Sequence, residues 1–205
     1  MSMTDITFLF IFMPPILIAI NLKPQYKKYA LLMLSLFFYA CGSPAYFNIF
    51  IIAVIVNVAL AYLMQNLNLR IKKYILVLGL AFNTGYIFYY KYFDSTLAQL
   101  NNVFGTSLSA KKLLLPMGIS FFTFKAISFL IDVYNGEINF GKNPVDGALY
   151  LSFFAQMLSG PICRYNMFYS EHADFQRGCY RFVLGFIKKV LLASIVSIIT
   201  VEVFN

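Results

Sequence analysis

An all-α, polytopic integral membrane fold is predicted by this sequence, as a single membrane domain over residues 1–205 with about five to seven membrane helices. Three observations predict it. Of the 205 residues, 60% are hydrophobic and only 12% charged, too apolar for a soluble domain of that size. The stretches Ile6 to Leu22, Tyr29 to Leu69, Tyr74 to Tyr90 and Gly147 to Cys163 contain no Asp, Glu, Lys or Arg, so helices built on them lack the charged face that water requires. At about 1.5 Å per residue against a hydrocarbon core of about 30 Å, each shorter stretch nearly spans a bilayer and the longest can cross twice. Finally, most cations of this +8 chain punctuate the apolar runs in clusters: Lys23, Lys27 and Lys28; Arg70, Lys72 and Lys73; Lys111 and Lys112; and Arg164 through Lys189. That spacing is the positive-inside pattern and argues against a nucleic-acid surface.

The first span, Ile6 to Leu22, follows Asp5 and no cation, unlike a cleaved signal peptide, and Lys23, Lys27 and Lys28 behind it place the N-terminus outside the cytoplasm. Pro14-Pro15 predicts a kink within it. Cys41-Gly42-Ser43-Pro44 divides the long run into a helical hairpin, roughly 29 to 41 and 46 to 66, with the short first arm tilted, buried or extended toward Lys27. Tyr74 to Tyr90 ends in Tyr86, Tyr89, Tyr90 and Tyr92, an interfacial belt in a chain without Trp.

Lys91 to Lys112 is polar and reads as an outer loop or surface helix. Leu113 to Ile131 has span length but contains Pro116, Gly118 and Lys125, while Gly147 to Cys163 is broken near Gly160-Pro161. If both crossed fully, the basic stretch after Cys163 would emerge on the wrong side, so one of them is expected to be broken or re-entrant, its freed backbone groups buried in protein or lining a polar cavity. Phe182 to Thr200 reads as a helix interrupted at Lys188-Lys189.

Chemistry-bearing residues are sparse. The sequence has no GxSxG, HExxH or P-loop, and three odd, widely spaced cysteines give neither a disulfide framework nor a zinc site. No metal is expected. His172, the single histidine, stands in the polar segment Tyr169 to Asp174 and reads as a solvated loop residue rather than a general base. Lys125 and Asp132 lie two helical turns apart on one face of an apolar segment. Two readings stay open there: ionisable groups facing a polar cavity, or a snorkelling Lys125 with Asp132 at the interface. Asn57, Asn83 and Gln156 are polar positions suited to bridging helices. In Ser159 to Tyr165, Gly160 and Pro161 free backbone groups and Arg164 follows, placed to meet a phosphate, carboxylate or headgroup, or to snorkel beside a structural turn. The basic residues after it suit anionic lipid or an acidic partner.

Three passages, Ser35-Leu36-Phe37-Phe38-Tyr39-Ala40 with Gly42-Ser43-Pro44, Leu115 to Phe124 continuing to Ile131-Asp132-Val133-Tyr134, and Gly160-Pro161-Ile162 with Arg164-Tyr165 and Phe182 to Leu192, resemble the membrane-bound O-acyltransferases, in the branch of alginate O-acetylation and teichoic acid D-alanylation. The resemblance covers nearly the whole chain and only the family's N-terminal half. It implies many helices around a funnel in which an acyl donor, acetyl-CoA or a carrier-protein thioester, meets an acceptor hydroxyl near a histidine of the second half. No catalytic residue is carried over, His172 included, and no bound cofactor is implied. Lys125, Asp132, Gly160, Pro161 and Arg164 become candidates for funnel-lining or substrate-binding positions. Lys125 departs from the family, where Gln is usual, and so does Asn135, where a basic residue is common.

The expectation is therefore an N-terminal fragment of an acyltransferase, inactive alone, that serves transfer of an acetyl or other acyl group to a cell-surface or exported polysaccharide. It would lie in a bacterial cytoplasmic membrane, with the lipid bilayer and glycan-modification or acyl-carrier proteins as partners and no nucleic acid. The alternative is a non-catalytic membrane helper or export subunit for an acylated glycan.

Overall fold

The computed structural model describes residues 8–65, 67–105, 114–138, 143–157, 163–170, 175–193, 196–197 and 200, and these contain helices and turns but no strand. A π-helical turn, Phe8–Phe12, leads into α1, Met13–Ile20. Pro14 and Pro15 sit in the first turn of α1, where a missing N–H leaves no hydrogen bond unmade, and the change of helical register falls just before them. α2, Pro24–Gly42, starts at a proline behind Lys23, so the short first arm is extended toward Lys27. Ser43 and a 3₁₀ turn, Pro44–Tyr46, connect it to α3, Phe47–Gln65.

α4, Leu69–Ile87, runs through the π-helical turn Phe88–Tyr92 into α5, Phe93–Phe104, which buries no residue and is the expected surface helix. The next run differs from expectation at its start. Pro116 and a left-handed Gly118 (φ 67°) hold off α6 until Ile119, and it then continues to Tyr134. α7, Pro144–Ser152, is capped by the Asn143 side chain, which accepts from the Val145 N–H at 3.1 Å. α8, Phe154–Met157, α9, Tyr165–Ser170, and α10, Phe175–Ile187, follow, and a π-helical turn at Lys188–Ala193 marks the interruption expected at Lys188-Lys189.

α6 is the central helix, packed on α3, α4, α7 and α8. The two arms of the predicted hairpin stack Tyr39 on Phe50 at 3.9 Å near their shared turn, while α7 packs on both α2 and α3. A second aromatic cluster of Phe8, Phe12, Phe38 and Phe154 joins the first helix to α2 and α8, with Phe38 edge-on to Phe8 and Phe12.

The helices bury polar and small residues together with aromatic ones and leave many large apolar side chains exposed. On α3, Ala53, Asn57, Ala61 and Met64 are buried whereas Ile52, Ile55 and Leu63 are more than half exposed. Inside, Asn57 and Asn83 of α4 exchange amide hydrogen bonds at 3.2 and 2.6 Å, and each amide nitrogen also donates to the carbonyl four residues earlier, both at 2.8 Å. The bridging role expected of both is met. Water would leave such an outer face exposed at high cost, while lipid solvates it. Pro44–Gln65, with mean hydropathy 2.4, is the one helix among the described residues that is long and apolar enough to cross a membrane; Phe8–Ile20 is apolar but shorter.

The Gly147 to Cys163 run is broken at Phe153, a break the sequence did not predict. Phe153 turns extended (ψ 116°) between α7 and α8, and the Phe154 N–H released there donates to the Ser35 hydroxyl of α2 at 3.3 Å. Gly160 and Pro161 lie outside the described residues. α7 begins beside Lys28, whose ammonium pairs with Asp146 at 3.2 Å, and α8 ends against Gly118, at the far end of α6. The chain then returns: Asn166 donates to the Glu137 carbonyl at 2.9 Å and Tyr169 to that of Asp146 at 2.7 Å. The segment thus leaves from and comes back to the same end of the bundle.

Candidate functional site

Lys125 stands in the middle of α6 and is 4% exposed. Its ammonium donates to Gln156 Oε1 of α8 and lies 4.3 Å from the Tyr150 ring centre and 5.8 Å from that of Phe168. Gln156 Nε2 in turn donates to Cys163 Sγ at 2.8 Å, and the Tyr150 hydroxyl donates to the Cys163 carbonyl at 2.9 Å. The returning chain is therefore tied to α7 and α8 by polar bonds that close around one buried cation. Lys125 does not snorkel, because a snorkelling side chain ends in headgroups or water and this one ends on an amide and an aromatic face.

Asp132, two turns further along α6, is also buried, in the field of Arg164 and Glu137 and in contact with Ser128. The shared face of Lys125 and Asp132 is as expected. Arg164 lies elsewhere: it is largely exposed, its guanidinium 3.8 Å from Glu137 at the end of the bundle where the chain returns. The candidates thus fall into a buried cluster around Lys125 and a second group in which buried Asp132 lies in the field of the more exposed Arg164–Glu137 pair. His172, Gly160 and Pro161 lie outside the described residues.

Among the described residues no carboxylate pairs with Lys125, and no group of His, Cys, Asp and Glu is arranged to hold a metal. A cation without a counter-charge in an apolar interior is stable only while its hydrogen bonds and its aromatic neighbour compensate lost hydration. The cluster accordingly holds the ammonium on the Gln156 amide and the Tyr150 face.

Neither a protein-family model nor a solved structure matches the chain. Among curated proteins, it is 30% identical over 212 residues to the protein of Pseudomonas putida (strain KT2440) named "Probable alginate O-acetylase AlgI", covering 96% of this chain and 44% of that protein. The protein of the same name in Pseudomonas aeruginosa (strain PAO1) is 31% identical over 202 residues, 91% of this chain and 39% of its own length. The peptidoglycan O-acetyltransferase of Helicobacter pylori (strain 26695) is 29% identical over 228 residues, 91% and 43% respectively. The chain is a homologue of the membrane-bound O-acyltransferases. It spans less than half the length of these relatives.

In this O-acyltransferase homologue, sequence reasoning identified Lys125 and reached Gln156 only as a helix bridge; Tyr150, Cys163 and Phe168 were missed. Residues 156 and 163 flank the Gly160-Pro161 passage and meet in space, so the helix-breaking pair between them in the sequence was the available signal. Tyr150 carries no such mark, since a tyrosine in an apolar run reads as core.

Proposed function

We propose that this chain forms the membrane-embedded part of an O-acyltransferase that moves an acetyl or other acyl group from a thioester donor to hydroxyls of an exported or cell-surface polysaccharide. In that reaction the acceptor hydroxyl forms the new ester bond, the thioester bond breaks, and the hydroxyl proton leaves with the thiol. The observation that carries the reading is the Lys125–Gln156–Cys163 network, a buried polar cluster placed where a broken helix meets α6. The curated relatives' names, alginate O-acetylase and peptidoglycan O-acetyltransferase, support the acetyl group and the glycan acceptor.

The same reading has several helices crossing the bilayer, the N-terminus outside and the α7–α8 segment re-entrant from the cytoplasmic side. Its supports are the cation clusters and the return of the chain to the Glu137 and Asp146 end. Acetyl-CoA or a carrier-protein thioester is the donor, and Lys125 lines the path of the reacting groups.

A chimera tests it. This chain replaces the matching stretch of the P. aeruginosa protein in a strain lacking its own copy, and acetyl groups on secreted alginate are measured. Acetylation is expected for the chimera, with a loss of tenfold or more for Lys125→Leu and substantial retention for Lys125→Gln, which keeps a hydrogen-bonding side chain. A chimera that reaches the membrane at normal level and leaves alginate unacetylated contradicts the reading.

A further inference from the structure

The Lys125 cluster leaves α10 unused. In helical projection Arg177, Arg181 and Lys188 fall within about 40° of one another, while Cys179, Phe182, Val183 and Phe186 take the opposite side. Tyr180, Val183 and Ile187 are 66%, 52% and 43% exposed. This is the pattern of a helix lying in a membrane interface, apolar side down and cations among the headgroups.

Between α10 and α1 runs a groove of about 610 Å³, within the range of small-molecule sites. Met13, Ile16 and Ile20 line it on one side, Phe182 and Val183 on the other, and Lys27 joins the lining just beyond Asn21. Its wall on the first helix extends from Leu9 to Ile20, about 16 Å at helical rise, which matches one leaflet of a hydrocarbon core about 30 Å thick. The cation lies beyond the Ile20 end, where a headgroup would be. Neighbouring Lys28 is engaged by Asp146, whereas Lys27 has no acidic partner among the described residues.

We propose that this groove binds one anionic phospholipid, an acyl chain lying along α1 against Phe182 and Val183 and the phosphate on the Lys27 ammonium. A zwitterionic lipid fills the apolar wall equally well but brings its own cation to Lys27, so the site selects for net negative charge. The inference stands apart from acyl transfer.

The test uses the 205-residue chain in dodecyl maltoside micelles with equal amounts of dioleoyl phosphatidylglycerol and dioleoyl phosphatidylcholine, retained lipid being read by native mass spectrometry. Phosphatidylglycerol should be retained about fivefold over phosphatidylcholine, the discrimination one cation supplies. Lys27→Gln should bring the ratio to about one, and Lys27→Arg should restore it. Gly178 lines the groove, and a Cβ built on it meets nothing within 4 Å. Gly178→Leu should therefore fill the space and lower retention of both lipids, while Gly85→Leu, at another open glycine, and Lys72→Gln should leave retention unchanged. Equal retention of the two lipids by the unmodified chain, a preference that survives Lys27→Gln, or a Gly178→Leu chain that holds lipid normally would each overturn the proposal. If Lys27→Gln aggregates, the Arg variant and Gly178→Leu still decide it.

Discussion

The N–H of Phe154 reaches across 119 positions of sequence to the hydroxyl of Ser35, which itself donates to the Leu31 carbonyl at 2.8 Å. One serine on α2 thereby satisfies the backbone donor released where the α7–α8 helix breaks. In an apolar surrounding that donor has no water to turn to. Ser35→Ala should cost about 1–3 kcal/mol, the penalty of an orphaned buried donor. Unfolding of the purified chain by sodium dodecyl sulfate in mixed micelles, followed by circular dichroism, measures it, and a change within about 0.5 kcal/mol would show that the break needs no such partner.

The Asn57 and Asn83 amides form a closed pair, so the two single variants and the double variant should not add. Asn57→Leu or Asn83→Leu leaves a buried amide without its partner and should destabilise by about 1–3 kcal/mol. Replacing both removes the need as well as the bond, and the double variant should lie well short of the sum. The same unfolding assay completes the cycle; strict additivity would mean that the two amides do not interact.

Gly118 combines a left-handed φ of 67° with a close approach, since a Cβ built on it would run into the Met157 carbonyl oxygen. Gly118→Ala should therefore lose more than about 2 kcal/mol, from backbone strain and the displacement of α8. Gly136→Ala is the control, at φ 75° with nothing within 4 Å of its Cβ, and should pay for strain alone. Equal losses at the two sites would deny the contact any role.

The topology predicts which sites a membrane-impermeant thiol reagent reaches in whole cells. In a chain with Cys41, Cys163 and Cys179 replaced by serine, Gln99→Cys on exposed α5 should label from outside and Lys72→Cys should label only after lysis. Labelling of position 72 in intact cells would reverse the assignment.

The helical, lipid-facing character of the chain was legible in the sequence because it rests on summed local properties: charge-free runs, cation clusters and the positions of proline and glycine. The helix at 47–65 and the interruption at Lys188 follow from those properties, and the polar stretch after Lys91 was legible as a loop or surface helix, of which the structure has the helix at 93–104. Lys125 and Asp132 were legible too, since an ionisable residue stands out in an apolar run. Tertiary structure decided what these residues meet. Lys125 points to an amide rather than to the interface only because α8 and the returning chain close over the middle of α6, and the N–H freed by the break at Phe153 finds its acceptor in Ser35 of α2. Such partners lie up to 119 positions apart. Hydropathy and periodicity report the environment each residue prefers, whereas a hydrogen bond between distant side chains depends on relative helix positions that packing alone sets.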